Sequence, residues 1–331
     1  MTYLAIATAI LPALTAWAVI ALLRRSAWTA HLADVPNERS LHTSPTPRIG
    51  GLGIVAAVLP FGFVLAQGPL AIVLAAALAL AALSFADDLR SLPVAARLFA
   101  HALGAVIAML AIAGWPSQLS SGIAWSIAAL AIAWSANLYN FMDGSDGLAG
   151  AMAAIGFGTY AIAACYAGEA GLALVSLAIA SASVGFLGHN FPPARVFLGD
   201  AGSIPLGFLA ASMGLLGIES GAWTLAFPLL VFSPFAVDAT VTLARRLVSR
   251  EAVWKAHRSH YYQRLVLGGW SPRRLVLASC ALMAAASASA LLARTAEPML
   301  QCGIIFVWAV AYALLFLAID RKRPRKPRTA Q

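Results

Sequence analysis

Residues 70–90 read LAIVLAAALALAALSFADDLR, a nearly uninterrupted apolar run that ends in two adjacent carboxylates, Asp87 and Asp88. A run of roughly 17 to 25 apolar residues crosses the hydrocarbon core of a bilayer as one helix. The two acids would then lie where this helix meets the membrane surface. Because adjacent carboxylates repel one another unless a proton or cation intervenes, the stretch favours a divalent metal at the end of a membrane helix. A solvated pair balanced by Arg90 is the alternative.

The rest of the chain is equally apolar. Of its 331 residues, 61% are hydrophobic and only 11% are charged, which is more apolar surface than a soluble fold of this size can bury. Backbone groups in lipid must be hydrogen-bonded within a helix or a closed barrel, and long runs rich in Ala and Leu favour helices. The composition therefore predicts an all-α, polytopic integral membrane protein.

We predict about eleven transmembrane helices from the lengths of the apolar runs. The predicted spans are residues 3–23, 49–67, 70–86, 96–114, 122–140, 148–166, 170–189, 203–218, 222–243, 274–293 and 299–319. The segment 203–218 is short and contains Pro205, so ten spans are the alternative.

The basic residues indicate the orientation of these spans. All but one of the 22 Lys and Arg residues fall on one side of the membrane. The exception, Arg294, shares the other side with Glu169, Glu219 and Glu297. Since basic loops stay in the cytoplasm, we predict a periplasmic N-terminus and a cytoplasmic C-terminus. Because most of these charges are read as topology signals, the net charge of +9 does not indicate a nucleic-acid partner.

Two further loops on the basic side carry oxygen-bearing side chains. Asn137, Asn140, Asp143 and Asp146 follow one another at steps of three, which keeps neighbours on adjoining faces of a helix end or tight turn. Asp200 lies in another loop, within FLGDAGS. Hard oxygen donors without Cys or His at metal spacing suit Mg²⁺ or Mn²⁺ better than zinc. Because such an ion leaves positions for phosphate oxygens, we predict a phosphate or diphosphate ester as substrate.

Three segments together resemble the signature loops of one family. DDLRSLPVAARL (residues 87–98), NLYNFMDGSDGLAG (137–150) and NFPPARVFLGDAGS (190–203) are similar to loops of the polyprenyl-phosphate N-acetylhexosamine-1-phosphate transferases, and the match spans almost the whole chain. That family includes the enzymes that start O-antigen, enterobacterial common antigen and wall teichoic acid, and the phospho-N-acetylmuramoyl-pentapeptide transferases. Several motifs in one order on one side of the membrane make an accidental match improbable.

The resemblance implies a Mg²⁺-dependent transferase of the bacterial inner membrane, with its active site on the cytoplasmic face. It would move an N-acetylhexosamine 1-phosphate from a UDP-sugar to undecaprenyl phosphate and release UMP, which initiates O-antigen or a related envelope glycan. Its partners would be the UDP-N-acetylhexosamine donor, the undecaprenyl phosphate acceptor and membrane lipid, and a homodimer is left open. One transferase domain would cover residues 1–320, followed by a basic cytoplasmic tail over residues 321–331.

The same resemblance implies roles for individual residues. Asp87, Asp88, Asp143 and Asp146 would be catalytic. Asn140, Asp200, Asp87 and Asp88 would contact the metal. Substrate would contact Asp34, Arg39, His42, Arg48, Asn137, Asn140, Arg195, His257, Arg258, His260 and Arg264. The stretch that holds Asp34 to Arg48 could instead be a proline-stiffened connector.

The last inner loop, KAHRSHYYQRL (residues 255–265), departs from the family pattern. The corresponding family segment is often richer in histidine, whereas Tyr261, Tyr262 and Gln263 stand here. This departure argues against the muramoyl-pentapeptide branch and favours the branch that starts O-antigen. It leaves phosphate binding as the preferred role of the loop, because a cation beside a diphosphate needs no particular pKa.

Asp238 lies in an apolar helix near its basic end. Acids at such depth are usually functional, and we predict that Asp238 either supports the site or forms a structural polar bridge.

Two functions of other classes are alternatives for the whole chain. An ion-coupled transporter would bind near the bilayer midplane, whereas most acids here lie at one face. A lipid-phosphate phosphatase would release free phosphate without a nucleotide sugar.

Overall fold

The computed structural model describes residues 2–36, 44–114, 119–252 and 257–321. Arg39, His42 and the basic tail after Arg321 lie outside these residues. The described chain is built almost entirely of helices. They are α1 Thr2–Leu23, α2 Gly50–Leu65, α3 Gly68–Arg90, α4 Val94–Ala113, α5 Leu119–Phe141, α6 Leu148–Ala167, α7 Ala170–Asn190, α8 Asp200–Glu219, α9 Ala226–Val231, α10 Ser233–Val248, α11 Tyr261–Leu267, α12 Pro272–Ala293 and α13 Pro298–Arg321. A 3₁₀ helix, Ala27–Leu32, and two short strands, β1 Ala33–Asp34 and β2 Thr46–Pro47, join α1 to α2.

Nine helices of the described residues are long and apolar enough to cross a membrane, namely α1, α3 to α8, α12 and α13. The all-α, polytopic fold class is thereby confirmed. The predicted span 49–67 appears as α2, an apolar helix of only 16 residues. The predicted span 222–243 appears as two helices, α9 and α10. The orientation of the termini stays a prediction.

The break between α9 and α10 has a local cause. Pro234 is in the first turn of α10 and lacks the N–H that would continue a helix from α9. The hydroxyl of Ser233 donates to the carbonyl of Leu230 at 2.7 Å, and it also hydrogen-bonds Tyr312 Oη on α13 at 2.7 Å. Side chains therefore satisfy the backbone where the helix is interrupted, which is the condition for irregular backbone at membrane depth.

Helix α8, the weakest predicted span, is a central element of the bundle. It runs over 20 residues, and 78% of its apolar window is buried. Glycines let neighbouring backbones approach it closely. A Cβ at Gly207 would lie 2.4 Å from the Ser135 carbonyl oxygen on α5, and a Cβ at Gly202 would lie 2.7 Å from the Cα of Gly51 on α2. Such small-residue contacts are typical of helix packing in membranes.

Helices α3, α5 and α8 bring three chain segments to one end of the bundle. Helix α8 packs against both α3 and α5. Its N-terminus meets their C-termini, since Asp88 interacts with Asp200 and Ser203 hydrogen-bonds Asn140. The hairpin of β1 and β2, with Asp34 opposite Thr46, lies at the same end because Arg48 forms a parallel bridge with Phe197 just before α8. This end of the bundle positions most of the predicted site.

Candidate functional site

Three carboxylates, Asp88 from α3, Asp143 from the loop after α5 and Asp200 at the start of α8, form what we call the acid cluster. Each interacts electrostatically with at least one of the others. The Asp88 side chain is only 4% exposed. Its buried Oδ2 atom has no hydrogen-bond partner within the described part of the chain. The structure thus brings together acids from three separate segments.

Asp87 is held differently from its neighbour. Helix α3 ends at Arg90, and the chain turns through Ser91 in a left-handed conformation. In this turn the Leu92 N–H donates to one Asp87 oxygen, and Arg97 on α4 donates to the other at 3.2 Å. The Asp87 carboxylate is therefore fixed by two donors, whereas the Asp88 carboxylate keeps an oxygen free for a ligand.

Arg48 supplies positive charge next to the acid cluster. Its guanidinium forms an ion pair with Asp34 and lies 3.7 Å from Asp88 Oδ1. The sequence brings it there through the hairpin, whose register fixes Arg48 immediately after β2. The predicted substrate residues Asp34 and Arg48 therefore lie at the site as an ion pair.

The electrostatics of the cluster favour a cation. Burial, and then the neighbouring Asp200 carboxylate, raise the pKa of Asp143 above its usual range. The amides of Gly199 and Ala201, at the N-terminus of α8, interact with Asp143 and Asp88 respectively. These amides and the helix dipole offset part of the negative charge.

Asn140 joins the site from the last turn of α5. Its side chain hydrogen-bonds Asp200, and its Oδ1 accepts the Ser203 hydroxyl at 3.0 Å. Asn140 and Asp200 were both predicted to contact a metal, and the structure places them side by side. Ser203 was not predicted, although it stands three residues after Asp200 in the same motif.

Two other predicted residues have structural partners. Asp146 accepts the Ala194 N–H at 2.9 Å and so ties the loop after α5 to the loop before α8. Asn137 donates to the Ala133 carbonyl at 2.8 Å and hydrogen-bonds His101 on α4. Asn137 thus lies one helical turn deeper than Asn140, and its partner is on α4. Their functional roles stay predictions.

Asn190 braces the same loops, and sequence reasoning did not assign it a role. This buried side chain accepts the Gly147 N–H at 2.8 Å and donates to the Val196 carbonyl at 2.8 Å. The signal in the sequence was an amide at the end of an apolar helix, next to the polar loop NFPPAR. Asn190 and Asp146 together fix the two loops that carry Asp143 and Asp200.

Asp238 is a structural polar bridge, one of its two predicted roles. Its carboxylate accepts the N–H groups of Tyr261 and Tyr262 at 2.9 and 3.0 Å and the Thr242 hydroxyl at 3.1 Å. It therefore caps α11 from the neighbouring helix α10. Tyr262 extends the link, because its hydroxyl donates to the Phe141 carbonyl at 3.1 Å. The last inner loop is thus joined to the loop that carries Asp143.

The four predicted cationic residues of the last inner loop have different surroundings. His260 is buried, and its Nδ1 lies 3.4 Å from Asp238. His257 Nδ1 lies 2.8 Å from the Ser259 hydroxyl, and burial is the main cause that lowers the His257 pKa to about 4. Arg264 forms an ion pair with Asp320 of α13, whereas Arg258 is exposed. These arrangements show no phosphate site by themselves, and that role stays a prediction.

Arg195, also predicted to bind substrate, is exposed in the loop before α8. Its charge acts on His189, at the end of α7. The acid cluster receives its positive charge from Arg48 and Arg97 instead.

The donor atoms fit a hard divalent cation whose coordination is completed by substrate. In the described ranges, no three His, Cys, Asp or Glu side chains are already arranged as a metal site. Mg²⁺, however, is commonly held by one or two carboxylates together with waters and substrate phosphates. Asp88, with its unpartnered buried oxygen, and Asp200 beside Asn140 supply such a set.

Comparisons with known proteins place the chain in a family. Residues 70–218, which extend from α3 to the end of α8 and include the acid cluster, match the model of glycosyl transferase family 4. A phospho-N-acetylmuramoyl-pentapeptide-transferase of Thermosynechococcus vestitus is 30% identical over 80% of this chain and 78% of its own. The chain belongs to glycosyl transferase family 4, as the three signature loops predicted.

Two further relatives carry more specific names. A probable undecaprenyl-phosphate N-acetylglucosaminyl 1-phosphate transferase of Bacillus subtilis (strain 168) is 29% identical over 89% of this chain and 86% of its own. An undecaprenyl-phosphate alpha-N-acetylglucosaminyl 1-phosphate transferase of Yersinia pestis is 28% identical over 81% of this chain and 79% of its own. The similarity therefore extends well beyond the matched family segment.

Proposed function

We propose that this membrane protein transfers an N-acetylhexosamine 1-phosphate from a UDP-sugar to undecaprenyl phosphate and releases UMP, with Mg²⁺ or Mn²⁺ as cofactor. The observation that carries the proposal is the buried, unpartnered oxygen of Asp88 beside Asp200 and Arg48, at the end of membrane helices. A lipid phosphate and a water-soluble nucleotide can meet only at such an interface. The names of the relatives support the same pair of substrates.

The proposed reaction brings two anionic substrates together. The residues of the site would offset the repulsion between them. Asp88, Asp200 and Asn140 would hold the metal, which supplies charge neutralisation at the diphosphate when bound. Arg48 and Arg97 add positive charge next to the reacting phosphates. In a direct transfer, an oxygen of the acceptor phosphate attacks the sugar-bearing phosphorus, whose bond to the UMP oxygen breaks, and UMP leaves with the electron pair; a two-step transfer through a covalent phosphosugar enzyme is the alternative.

We assign Asp87 to orient or deprotonate the acceptor phosphate, with Asp88 assisting. The two donors that fix Asp87, the Leu92 amide and Arg97, would hold its carboxylate in one orientation. A positioned carboxylate of this kind can act as a general base. Arg97 is in the first turns of α4, so the acceptor phosphate would be bound between α3 and α4 at the interface.

The positive-inside pattern supports a site on the cytoplasmic face of the bacterial inner membrane, where UDP-sugars are made. We further propose that the lipid-linked product starts O-antigen or a related envelope glycan. The sequence Tyr261, Tyr262 and Gln263 in the last inner loop supports an N-acetylhexosamine donor over a muramoyl-pentapeptide donor. Relatives of both kinds match this chain, so both donors belong in the test.

The test uses detergent-purified protein with Mg²⁺, undecaprenyl phosphate and a panel of UDP-sugars that includes UDP-N-acetylmuramoyl-pentapeptide. We expect UMP release and a lipid product whose mass equals the acceptor plus one N-acetylhexosamine phosphate. Labelled UMP should also exchange into the matching UDP-sugar. A folded Asp88→Asn variant should do neither. Release of free phosphate without a nucleotide sugar would instead identify a phosphatase, and no exchange with any donor would refute the proposal.

A further inference from the structure

Arg48 is held between two carboxylates in different surroundings. Its side chain is 39% exposed, and its guanidinium pairs with Asp34, whose side chain is 21% exposed. On its other side, 3.7 Å away, lies Asp88, whose side chain is 4% exposed. One arginine is therefore shared between a carboxylate near the surface and a carboxylate of the acid cluster.

The backbone of Arg48 is fixed, so only its side chain can change partner. The Arg48 N–H donates to the Leu32 carbonyl at 2.9 Å, and the Gly50 N–H donates to the Phe197 carbonyl at 2.9 Å. The contact with Gly199 is so close that a Cβ there would lie 3.1 Å from the Arg48 Cβ. The Phe197 N–H also donates to the Pro47 carbonyl at 2.9 Å, so the hairpin is fastened to the segment before α8 on both sides of Arg48. Movement of the guanidinium between Asp34 and Asp88 requires only rotation of side-chain bonds.

The charge of Arg48 acts on each member of the acid cluster, Asp88, Asp143 and Asp200. A divalent cation among these carboxylates would be attracted by the same acids and repelled by the same guanidinium. We propose that Arg48 is a built-in counter-cation of the acid cluster that competes with the divalent cation, and that Asp34 holds the guanidinium aside so that the cation can bind. This inference rests on the proposed metal-dependent function.

The inference predicts effects of opposite sign for two partners of one ion pair. Arg48→Gln removes the competing charge and should tighten binding of a divalent cation by about tenfold, because solvent and the pairing with Asp34 screen most of the repulsion between the guanidinium and the cation. Asp34→Asn releases the guanidinium toward Asp88 and should weaken binding by about threefold to tenfold. The double variant should bind like Arg48→Gln alone, since Asp34 acts only through Arg48.

The experiment titrates the detergent-purified full chain with Mn²⁺ and measures free Mn²⁺ by electron paramagnetic resonance, without nucleotide or acceptor lipid. Arg48→Lys keeps the charge and should bind Mn²⁺ nearly as the wild type does. Arg273→Gln, a matched loss of one exposed positive charge at the start of α12, should leave the affinity unchanged. Asp88→Asn should weaken the site and so identify it. Gel filtration and thermal unfolding check that each variant is folded.

The outcomes separate this inference from the proposed function. An Asp88-dependent Mn²⁺ site whose affinity Arg48→Gln leaves unchanged or lowers would overturn the inference, and so would an Asp34→Asn variant that binds more tightly. Absence of any Asp88-dependent Mn²⁺ binding would overturn it as well. If instead the predicted pattern holds but no UDP-sugar supports transfer, only the proposed function fails.

Discussion

Asp238 provides the most direct test of how the last inner loop is held. Its buried carboxylate accepts two N–H groups at the start of α11, at 2.9 and 3.0 Å. Replacement of Asp238 by Ala leaves both amides without this acceptor. The Tyr262 side chain would still reach the Phe141 carbonyl, but the N-terminus of α11 would lose its tie to α10.

The size of the effect follows from these hydrogen bonds. A hydrogen bond to a charged group contributes about 1.5–3 kcal/mol, so the loss of both should cost about 3–6 kcal/mol. Asp238→Asn keeps one acceptor oxygen and should cost about half as much. Thr242→Val removes a single hydroxyl donor to the same carboxylate, at 3.1 Å, and leaves both amide bonds intact, so it should cost about 1.5 kcal/mol, the low end of that range. The three variants should therefore rank in the order Thr242→Val, Asp238→Asn, Asp238→Ala.

Limited trypsin digestion of the protein in detergent measures this ranking. Local release of α11 should expose the chain at Arg258 and Arg264, and cleavage there should accelerate in the same order as the predicted costs. Cleavage at Arg273, outside the segment, serves as the internal standard, and thermal unfolding reports the global stability. Equal cleavage rates at Arg264 in all three variants and the wild type would refute the bridging role of Asp238.

Four further predictions follow from the site. Asp87→Asn should abolish UMP exchange while gel filtration shows a folded protein, and near-normal rates would remove Asp87 from the mechanism. Asp200→Asn should raise the Mg²⁺ concentration needed for half-maximal activity, and an unchanged Mg²⁺ response would contradict its assignment. Gly199→Ala should lower the melting temperature more than Gly221→Ala. Both glycines have φ of 74°, where a side chain causes backbone strain of about 1–3 kcal/mol, but only at Gly199 would the new Cβ also meet close neighbours. Burial lowers the folded-state pKa of His257 from 6.5 to about 4. The stability contributed by its neutral ring is therefore full above pH 6.5 and is lost as the pH falls toward about 4. The difference in melting temperature between wild type and His257→Asn should shrink over that range.

The membrane helices were predictable because bilayer thickness directly fixes the length of an apolar run. Each predicted span coincides with a helix or, for 222–243, with a pair of helices. Pro234 was visible in the sequence, but the hydrogen bond between Ser233 and Tyr312 at the interruption joins residues far apart in the chain. Helix α8 was underrated for a related reason. The sequence shows a short apolar segment that contains Pro205, but it does not show that α3 and α5 bury this segment.

The acids of the site were predictable as a group because each stands where an apolar run ends on the basic side. The structure brings Asp88, Asp143 and Asp200 together, with Asn140 and Arg48 beside them. The pairing partners were not predictable, because they depend on which loops meet.

The same limit applies to the partners of several other polar residues. Asp146 and Asn190 brace loops, and Arg264 pairs with Asp320 on a helix that is distant in sequence. Single-sequence patterns reveal where a polar residue lies along an element but not which partner neutralises it. Such partners are supplied by tertiary structure alone.

The brace formed by Asp146 and Asn190 has a consequence for the thermodynamics of ligand capture. Because side chains already tie down the amides of Gly147 and Ala194, the segments that flank the acids have little conformational freedom left to lose when a ligand arrives. Association should therefore proceed with a small ordering penalty in these loops. Loosening either tie would show first as a less favourable binding entropy, even where every group that touches the ligand is intact.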